Sequence, residues 1–184
     1  MDYLMLVNRD NLLDKDYIPP NLVNANSLYK KNIKVDTKVL EMFNLMKKEA
    51  LKYNYKIDIM SGYRTYKYQK NIYQKLLNDK GFNYTLRHIA PAGASEHQTG
   101  LAIDICIYKD NKCYIEHDIT NFDEIKWLHK NAHRFGFILR YPQDKEYITG
   151  YDYEPWHFRY IGDKARYIYT HNITLEEYKK LVKS

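Results

Sequence analysis

The sequence has only two cysteines, and none of its apolar runs approaches the roughly 18 residues that a membrane-spanning helix needs. The scarcity of cysteine excludes a small scaffold held together by disulfides, and the short apolar runs predict no membrane span. The N-terminus has an acid, Asp2, and a short apolar run, where a secretory signal would have a basic start and a longer apolar stretch. We therefore expect a cytoplasmic protein, or a cell-envelope protein if this chain is part of a longer one.

Several ligand-binding signatures are also missing. The sequence contains no phosphate-binding P-loop, no dinucleotide-binding glycine pattern and no nucleophile elbow. Its formal net charge of +6 favours anionic partners, but without a nucleic-acid-binding motif we expect no nucleic-acid partner. Apolar residues make up 45% of the 184 and charged residues 28%, a balance typical of one globular domain.

Hydrophobic spacing predicts both helices and strands. We expect helices over 36–54, 65–78, 123–135 and 174–182, and strands over 56–60, 101–107, 137–140 and 156–161. On the second helix, Ile72 and Leu76 are expected to face inward. The first 35 residues are expected to be irregular and to wrap the core, 36–184. The whole chain, 1–184, is thus predicted to be a single α+β domain, with a central, mainly antiparallel sheet flanked by helices.

Cys106 and Cys113 flank a predicted hairpin turn. If Asp110 and Asn111 form the turn, Cys106 faces Ile115 and no disulfide forms, whereas a turn one residue earlier would place the two cysteines opposite each other. Because Asp-Asn is the stronger turn signal, we favour free thiols. Neither cysteine has a second cysteine or histidine at zinc-binding spacing.

One carboxylate lies where the pattern requires burial. Asp104 stands in the middle of the apolar strand 101–107, where a lone charge is costly unless it is paired or bound to a metal. His97 and His157 could add two nitrogens, and two imidazoles with one carboxylate are a common catalytic zinc set. His97 and Asp104 are seven residues apart, so they meet only if Gly100 introduces a bend or bulge. The alternative is a buried histidine without a metal, with Asp104 bonded to an arginine or a backbone amide.

Two further histidines are a rival metal pair. His129 and His133 are four residues apart on a predicted helix and share one face. No glutamate lies between them and no third ligand stands out, so we interpret them as surface or packing histidines. Glu154, three residues before His157, is placed to act as a general base at a metal, although a glutamate taken alone is more typical of the surface.

A cation follows the predicted strand 56–60. Arg64 ends the turn 61–64 and Gln69 lies on the next helix. An arginine there could stabilise an oxyanion or bind a carboxylate in a cleft. The alternative is a surface ion pair near the start of the helix.

Four segments together resemble the VanY-type D-alanyl-D-alanine carboxypeptidases, members of a zinc peptidase superfamily that shares its fold with lysostaphin and hedgehog. The segments read SGYR at 61–64, SEHQTGLAID at 95–104, GFILRYP at 136–142 and YEPWHFRY at 153–160. The patterns SxHxxGxAxD and ExWH form a highly specific pair, and the likeness extends over nearly the whole chain.

The resemblance implies one zinc ion per chain, held by His97, Asp104 and His157. It further implies that Glu154 is the general base and that Arg64 stabilises charge on the scissile carbonyl oxygen. The implied reaction is metal-assisted hydrolysis, in which Glu154 takes a proton from the attacking water and returns it to the departing amine.

The same resemblance assigns four residues to the substrate. Ser95 and Gln69 would help to hold the terminal D-alanine, and Tyr151 and Trp156 would line the cleft. The implied substrates are peptidoglycan stem pentapeptides, their nucleotide-linked precursors and the D-alanyl-D-alanine dipeptide, in glycopeptide resistance or cell-wall metabolism. An L,D-carboxypeptidase that trims tetrapeptides would use the same zinc set. From another class, a non-catalytic, zinc-containing wall-binding module is the alternative, and the presence of Glu154 argues against it.

Overall fold

The computed structural model describes residues 2–182 of the chain, and within this range it has seven strands and seven α-helices. The strands are β1 Leu22–Asn24, β2 Lys34–Asp36, β3 Ile57–Ser61, β4 Ala102–Lys109, β5 Lys112–Tyr114, β6 Phe137–Leu139 and β7 His157–Tyr160. The helices are α1 Thr37–Leu51, α2 Tyr66–Lys80, α3 Phe82–His88, α4 Asp123–Asn131, α5 Glu146–Thr149, α6 Ala165–Thr170 and α7 Leu175–Leu181. No helix in residues 2–182 combines the length and the apolar character that crossing a bilayer requires.

The central sheet confirms the predicted α+β fold. Its strand order is β3–β4–β7–β6, β5 also pairs with β4, and every pairing is antiparallel. β4 is buried on both faces, and its Ile103 and Ile105 belong to the main hydrophobic core. Helix α1 adds Val39, Phe43 and Met46 to that core, at the spacing of one helical face.

The helix starts follow the caps that the sequence indicates. The Asp36 carboxylate accepts a hydrogen bond from the Lys38 amide, and Thr65 caps α2 in the same manner. Thr174 and Glu177 form a capping box at the start of α7, where the sequence predicts the last helix to begin. The third predicted helix is α-helical only to Asn131 and continues as a 3₁₀ turn that ends at Gly136.

Some local expectations are wrong. The first 35 residues are not irregular throughout, because β1 pairs with β2 in a small second sheet. Helix α3 was also missed, since Gly81 ends α2 and at once begins α3. Ile72 and Leu76 do not enter the core: both are half-buried and line the wall of a cleft.

The hairpin between β4 and β5 is as predicted. Asp110 and Asn111 both have positive φ, the conformation of a two-residue hairpin turn, and Tyr108 lies opposite Cys113. Cys106 is therefore not opposite Cys113. Both cysteines are free, Cys106 in the core and Cys113 at the surface.

The N-terminal segment packs against late parts of the chain. The guanidinium group of Arg159 donates hydrogen bonds to the carbonyl groups of Tyr3 (3.2 Å) and Met5 (2.7 Å). Arg9 donates to the Gly150 carbonyl at 2.8 Å and lies 4.1 Å from the centre of the Tyr151 ring. These contacts tie the segment to the half of the domain that carries β7.

Candidate active site

All nine residues that the sequence singled out for the site line one cleft of about 890 Å³. They are Arg64, Gln69, Ser95, His97, Asp104, Tyr151, Glu154, Trp156 and His157. The cleft lies beside β4 and β7 and is bordered by the start of α2 and by the loop before β7. Such a concave, mixed polar and apolar site is the usual setting for ligand binding.

Three of these side chains converge, and we call them the metal-ligand cluster: His97, Asp104 and His157. Asp104 on β4 lies directly opposite His157 on β7 in the antiparallel register, which explains how residues 53 positions apart meet. His97 arrives from the 3₁₀ turn Glu96–Thr99, not from the strand itself. Gly100 ends that turn with φ of 70°, so the predicted bend is at Gly100.

The donor atoms of the cluster lie close together. His157 Nδ1 is 2.9 Å from Asp104 Oδ1, and His97 Nε2 is 3.2 Å from Asp104 Oδ2. One ligand atom from each residue lies within 4.8 Å of the others, and all three residues are buried. Within residues 2–182 no other group of three such side chains converges in this way.

Backbone and side-chain partners orient the two imidazoles. His97 Nδ1 donates to the Gly62 carbonyl oxygen at 2.7 Å, which leaves Nε2 directed at the cluster. Gly62 cannot carry a side chain, because a Cβ atom there would collide with the Lys34 carbonyl group. His157 turns Nδ1 to the cluster and Nε2 towards Glu96, whose Oε2 atom is 3.7 Å away. Partners of this kind commonly fix metal-binding histidines.

The pKa values of the two cluster histidines are shifted in opposite directions. Burial and the Arg64 cation lower the pKa of His97 to about 4. Burial alone would lower the pKa of His157, but the hydrogen bond to Asp104 and the nearby Glu96 carboxylate raise it to about 9. Burial would raise the pKa of Asp104, yet its histidine and arginine neighbours hold it well below the ordinary value. The Asp104 carboxyl group is therefore ionised beside the two imidazoles.

Glu154 faces the same cluster from the loop before β7. Its Oε2 atom lies 3.7 Å from His157 Nδ1, and its side chain keeps some exposure to the cleft. Burial raises the pKa of Glu154 to about 7. A carboxylate with such a pKa can accept and release a proton near neutral pH.

Arg64 is bound to the cluster itself. Its Nη2 atom donates to Asp104 Oδ2 at 2.7 Å, and both Nε and Nη2 donate to Ser61 Oγ. The side chain is one-fifth exposed, on the cleft side. Arg64 is thus not the surface ion pair that the sequence left open, but a cation beside the ligand atoms.

The four residues assigned to the substrate surround this centre. Gln69 is buried, donates through Nε2 to the Ala90 carbonyl at 2.8 Å and leaves Oε1 without a partner in the described structure. Ser95 is buried just before the turn that carries His97. Tyr151 packs on Tyr141, and Trp156 meets His117 edge to face.

A second buried set, which we call the arginine–glutamate cluster, consists of Glu96, Arg140, Arg159 and Glu176. Glu96 Oε1 accepts from Arg140 Nε and from Arg159 Nη1, both at 2.8 Å. Arg140 also bonds Glu176 at 2.6 and 2.9 Å. The sequence reading gave these residues no role, although a charged residue in or beside an apolar strand was the signal that drew attention to Asp104.

The rival histidine pair does not form a metal site. His129 Nε2 lies 3.0 Å from the Pro155 carbonyl oxygen, and the His133 ring stacks on Tyr169. His133 stands on the 3₁₀ turn rather than on α4 itself, which separates it from the helical register that the spacing assumed. Both rings thus make packing contacts, in line with the expectation of surface or packing histidines.

Comparison with known proteins follows the same residues. A family model described as VanY, D-alanyl-D-alanine carboxypeptidase, matches residues 32–163. The chain belongs to this VanY family. A VanY-family relative, the bifunctional D-Ala-D-Ala dipeptidase and D-Ala-D-Ala carboxypeptidase VanXYC of Enterococcus gallinarum, is 38% identical over 184 residues, covering 97% of this chain and 94% of the relative.

Solved structures extend the comparison to the fold of the VanY family. The LdcB LD-carboxypeptidase matches with a TM-score of 0.89 and 37% identity, over 97% of this chain and 86% of the other. A mutant of the vancomycin-resistance D,D-pentapeptidase VanY, in complex with Zn(II), matches with a TM-score of 0.80 and 32% identity, over 97% and 99%. The solved structures that this chain resembles thus include an LD-carboxypeptidase and a D,D-pentapeptidase.

Proposed function

We propose that this VanY-family protein is a zinc-dependent D,D-carboxypeptidase that removes the C-terminal D-alanine from peptidoglycan precursor pentapeptides, and that it also hydrolyses the D-alanyl-D-alanine dipeptide. The observation that carries the proposal is the metal-ligand cluster of His97, Asp104 and His157, with Glu154 beside it in the same cleft. The family membership supports the substrate class.

The donor set fits zinc. Two imidazole nitrogens and one carboxylate oxygen occupy three of the four tetrahedral positions that Zn²⁺ prefers and leave one for water or substrate. The bond from His97 Nδ1 to the Gly62 carbonyl group supports the same conclusion, because metal-binding histidines commonly donate their second nitrogen to such a partner. When bound, zinc supplies a Lewis acid that polarises the scissile carbonyl group and makes water more acidic.

The chain's own residues would transfer the proton, stabilise the developing charge and bind the substrate. Glu154, with its pKa near 7, accepts a proton from the attacking water at a carboxylate oxygen and later delivers it to the departing amine. Arg64 places positive charge beside the position where the carbonyl oxygen becomes negative. Gln69 Oε1, a buried acceptor without a partner in the described structure, and Ser95 would hold the terminal residue. Tyr151 and Trp156 complete the cleft wall and restrict water.

A second candidate is L,D-carboxypeptidase activity on tetrapeptides, favoured by the likeness to the LdcB enzyme. Mass spectrometry of three substrates separates the candidates: the D-alanyl-D-alanine dipeptide, a pentapeptide ending in that pair and a tetrapeptide. We expect cleavage of the first two and loss of activity with a chelator. Cleavage of the tetrapeptide alone would reverse the assignment, and binding of wall fragments without cleavage would favour a non-catalytic module.

A further inference from the structure

One rim of the cleft is formed by the loop 25–33, which joins β1 to β2. Tyr29, Lys30, Lys31 and Asn32 of this loop line the same cleft as the metal-ligand cluster. Both lysine side chains are exposed. The loop thus brings two neighbouring ammonium groups to the cavity in which the proposed reaction takes place.

The loop is built onto the central sheet. Ser27 Oγ donates to the Ile59 carbonyl oxygen at 2.6 Å, and the Leu28 amide donates to Asp58 Oδ2 at 3.1 Å. At its base the Ala25 amide donates to the Ile33 carbonyl at 2.8 Å. Asp58 is itself buried and also pairs with Lys47 at 3.1 Å. These bonds hold the backbone of the loop beside β3, with Lys30 and Lys31 at the rim of the cleft.

Lys30 and Lys31 differ from the other strong charges around the cleft. Arg64 is paired with Asp104, and Asp152 with Arg87. By contrast, neither rim lysine makes an ion pair with any carboxylate of residues 2–182. Three further carboxylates line the cleft: Glu96 is paired with Arg140 and Arg159, Glu154 lies 3.7 Å from His157, and Glu116 offsets at most one of the two lysine charges. An excess of positive charge at a cleft rim attracts anionic ligands and strengthens their binding.

We propose that Lys30 and Lys31 form a subsite for an anionic group on the part of the substrate remote from the scissile bond. The subsite rests on the proposed function, because it presumes a stem peptide in the cleft. Two sources would supply the anion: a free carboxylate within the peptide, or the diphosphate of a nucleotide-linked precursor. Both accept hydrogen bonds from ammonium groups, which act as compact point charges.

The test is a double charge reversal, Lys30→Glu with Lys31→Glu, measured on four substrates. Two have no anion remote from the scissile bond: the D-alanyl-D-alanine dipeptide and diacetyl-lysyl-D-alanyl-D-alanine. The other two are a pentapeptide with a free glutamate carboxylate and the nucleotide-linked form of that pentapeptide. At low ionic strength we expect kcat/KM to fall about 10-fold for substrates with the remote anion and to stay unchanged for the others, with the loss shrinking as salt is added. A loss on both anionic substrates identifies the carboxylate, and a loss on the nucleotide-linked one alone identifies the diphosphate.

Two variants are the controls. Lys48→Glu with Lys164→Glu changes the net charge equally at exposed positions that do not line the cleft and should leave all four substrates unaffected. Lys30→Arg with Lys31→Arg should keep the preference. An equal loss on all four substrates, or no loss on any, would refute the subsite while leaving the carboxypeptidase intact. Zinc-loaded wild-type protein that cleaves none of them would refute the proposed function and the subsite together.

Discussion

The metal-ligand cluster and the arginine–glutamate cluster are neighbours with opposite designs. They meet where His157 Nε2 lies 3.7 Å from Glu96 Oε2. In the arginine–glutamate cluster two arginines face two glutamates, so the chain supplies every countercharge, and the group is closed to water. In the metal-ligand cluster one carboxylate lies between two imidazoles, and the donor atoms face a cleft.

The two clusters differ in the source of the countercharge. Buried ion pairs are expensive to break once one partner is removed, so a closed cluster fixes the positions of the elements it joins. Here it joins the turn that carries His97 to β7, which carries His157. The metal-ligand cluster, which we also call the open cluster, could instead take its countercharge from a bound cation. The arginine–glutamate cluster, the closed one, therefore acts as a structural support, and the open cluster is the proposed active site.

The largest effect on activity is expected at Glu154, which faces the metal-ligand cluster. Glu154→Gln removes the carboxylate that would accept the proton, so kcat should fall about 100- to 10,000-fold. Zinc content, measured by atomic absorption, should equal that of the wild type, because Glu154 is not one of the converging ligands. D-alanine release reports the rate. A variant with nearly unchanged turnover would show that another group moves the proton.

A break in the closed cluster should act on stability instead. Arg140→Met leaves Glu176 buried without its arginine partner and removes one of the two arginines on Glu96. We expect the free energy of unfolding, measured with urea, to fall by about 3–5 kcal/mol. Arg134→Met is the control, since Arg134 is exposed and contacts its near neighbours Asn131, by a hydrogen bond, and Phe135, whose ring centre is 5.7 Å away. Equal stability of Arg140→Met and wild type would contradict the supporting role.

Arg64 is bound to Asp104 of the metal-ligand cluster, so its replacement tests the electrostatics of that cluster. At saturating zinc, Arg64→Ala should lower kcat about 100- to 1,000-fold through loss of charge stabilisation. Arg64→Lys should recover part of the rate but not the paired contact with Ser61 and Asp104. Turnover close to wild type in the alanine variant would exclude the role proposed for Arg64.

Zinc itself should stabilise the open cluster. With zinc at 100 times its dissociation constant, the free energy of unfolding should rise by about 2.7 kcal/mol, seen as a higher melting temperature that a chelator reverses. His157→Ala should abolish the shift, whereas His133→Ala, on the other histidine pair, should keep it. A shift that survives in His157→Ala would place the metal elsewhere.

The smallest effect is expected at Glu177, which follows Glu176 on α7 but belongs to neither cluster. Burial alone would raise the pKa of Glu177, but hydrogen bonds from Thr174 and Lys145 lower it. A lowered pKa in the folded state means that the ionised carboxylate adds stability above its ordinary pKa of 4.5 and loses that contribution as the pH falls further. Wild type should therefore exceed Glu177→Gln by a few tenths of a kcal/mol near neutral pH and by nothing in strong acid. Thermal melts at several pH values measure the gap. The exposed Asp10→Asn serves as the control, and a gap that widens in acid would contradict the pKa shift.

Local sequence signals predicted the open cluster well. An acid inside an apolar strand and a glycine that bends the chain marked Asp104 and the turn before it. His157 and Glu154 were candidates on spacing alone, beside metal-free alternatives, and the resemblance of the ExWH segment then favoured the metal site. The sequence predicted the two strands that carry Asp104 and His157, but not the register in which they pair. Pairing between strands that are distant in the chain leaves no periodic pattern in the sequence.

The closed cluster could not be predicted in the same way. Glu96 is 44 residues from Arg140 and 63 from Arg159, and nothing in the spacing indicates which charges will meet after burial. Ile72 shows the converse failure. Helical periodicity correctly predicted an apolar face on α2. It could not predict that this face borders a cleft rather than the core.

The hydrogen bonds from Arg159 to the carbonyl groups of Tyr3 and Met5 also bear on how the protein is made. They join positions 156 and 154 residues apart. At synthesis rates of about 5–20 residues per second, Arg159 is added roughly 8–30 s after those carbonyl groups. During that interval the early segment has no access to the partner that holds it in the finished domain. Its docking is therefore a late event in biosynthesis, completed after β7 has been translated.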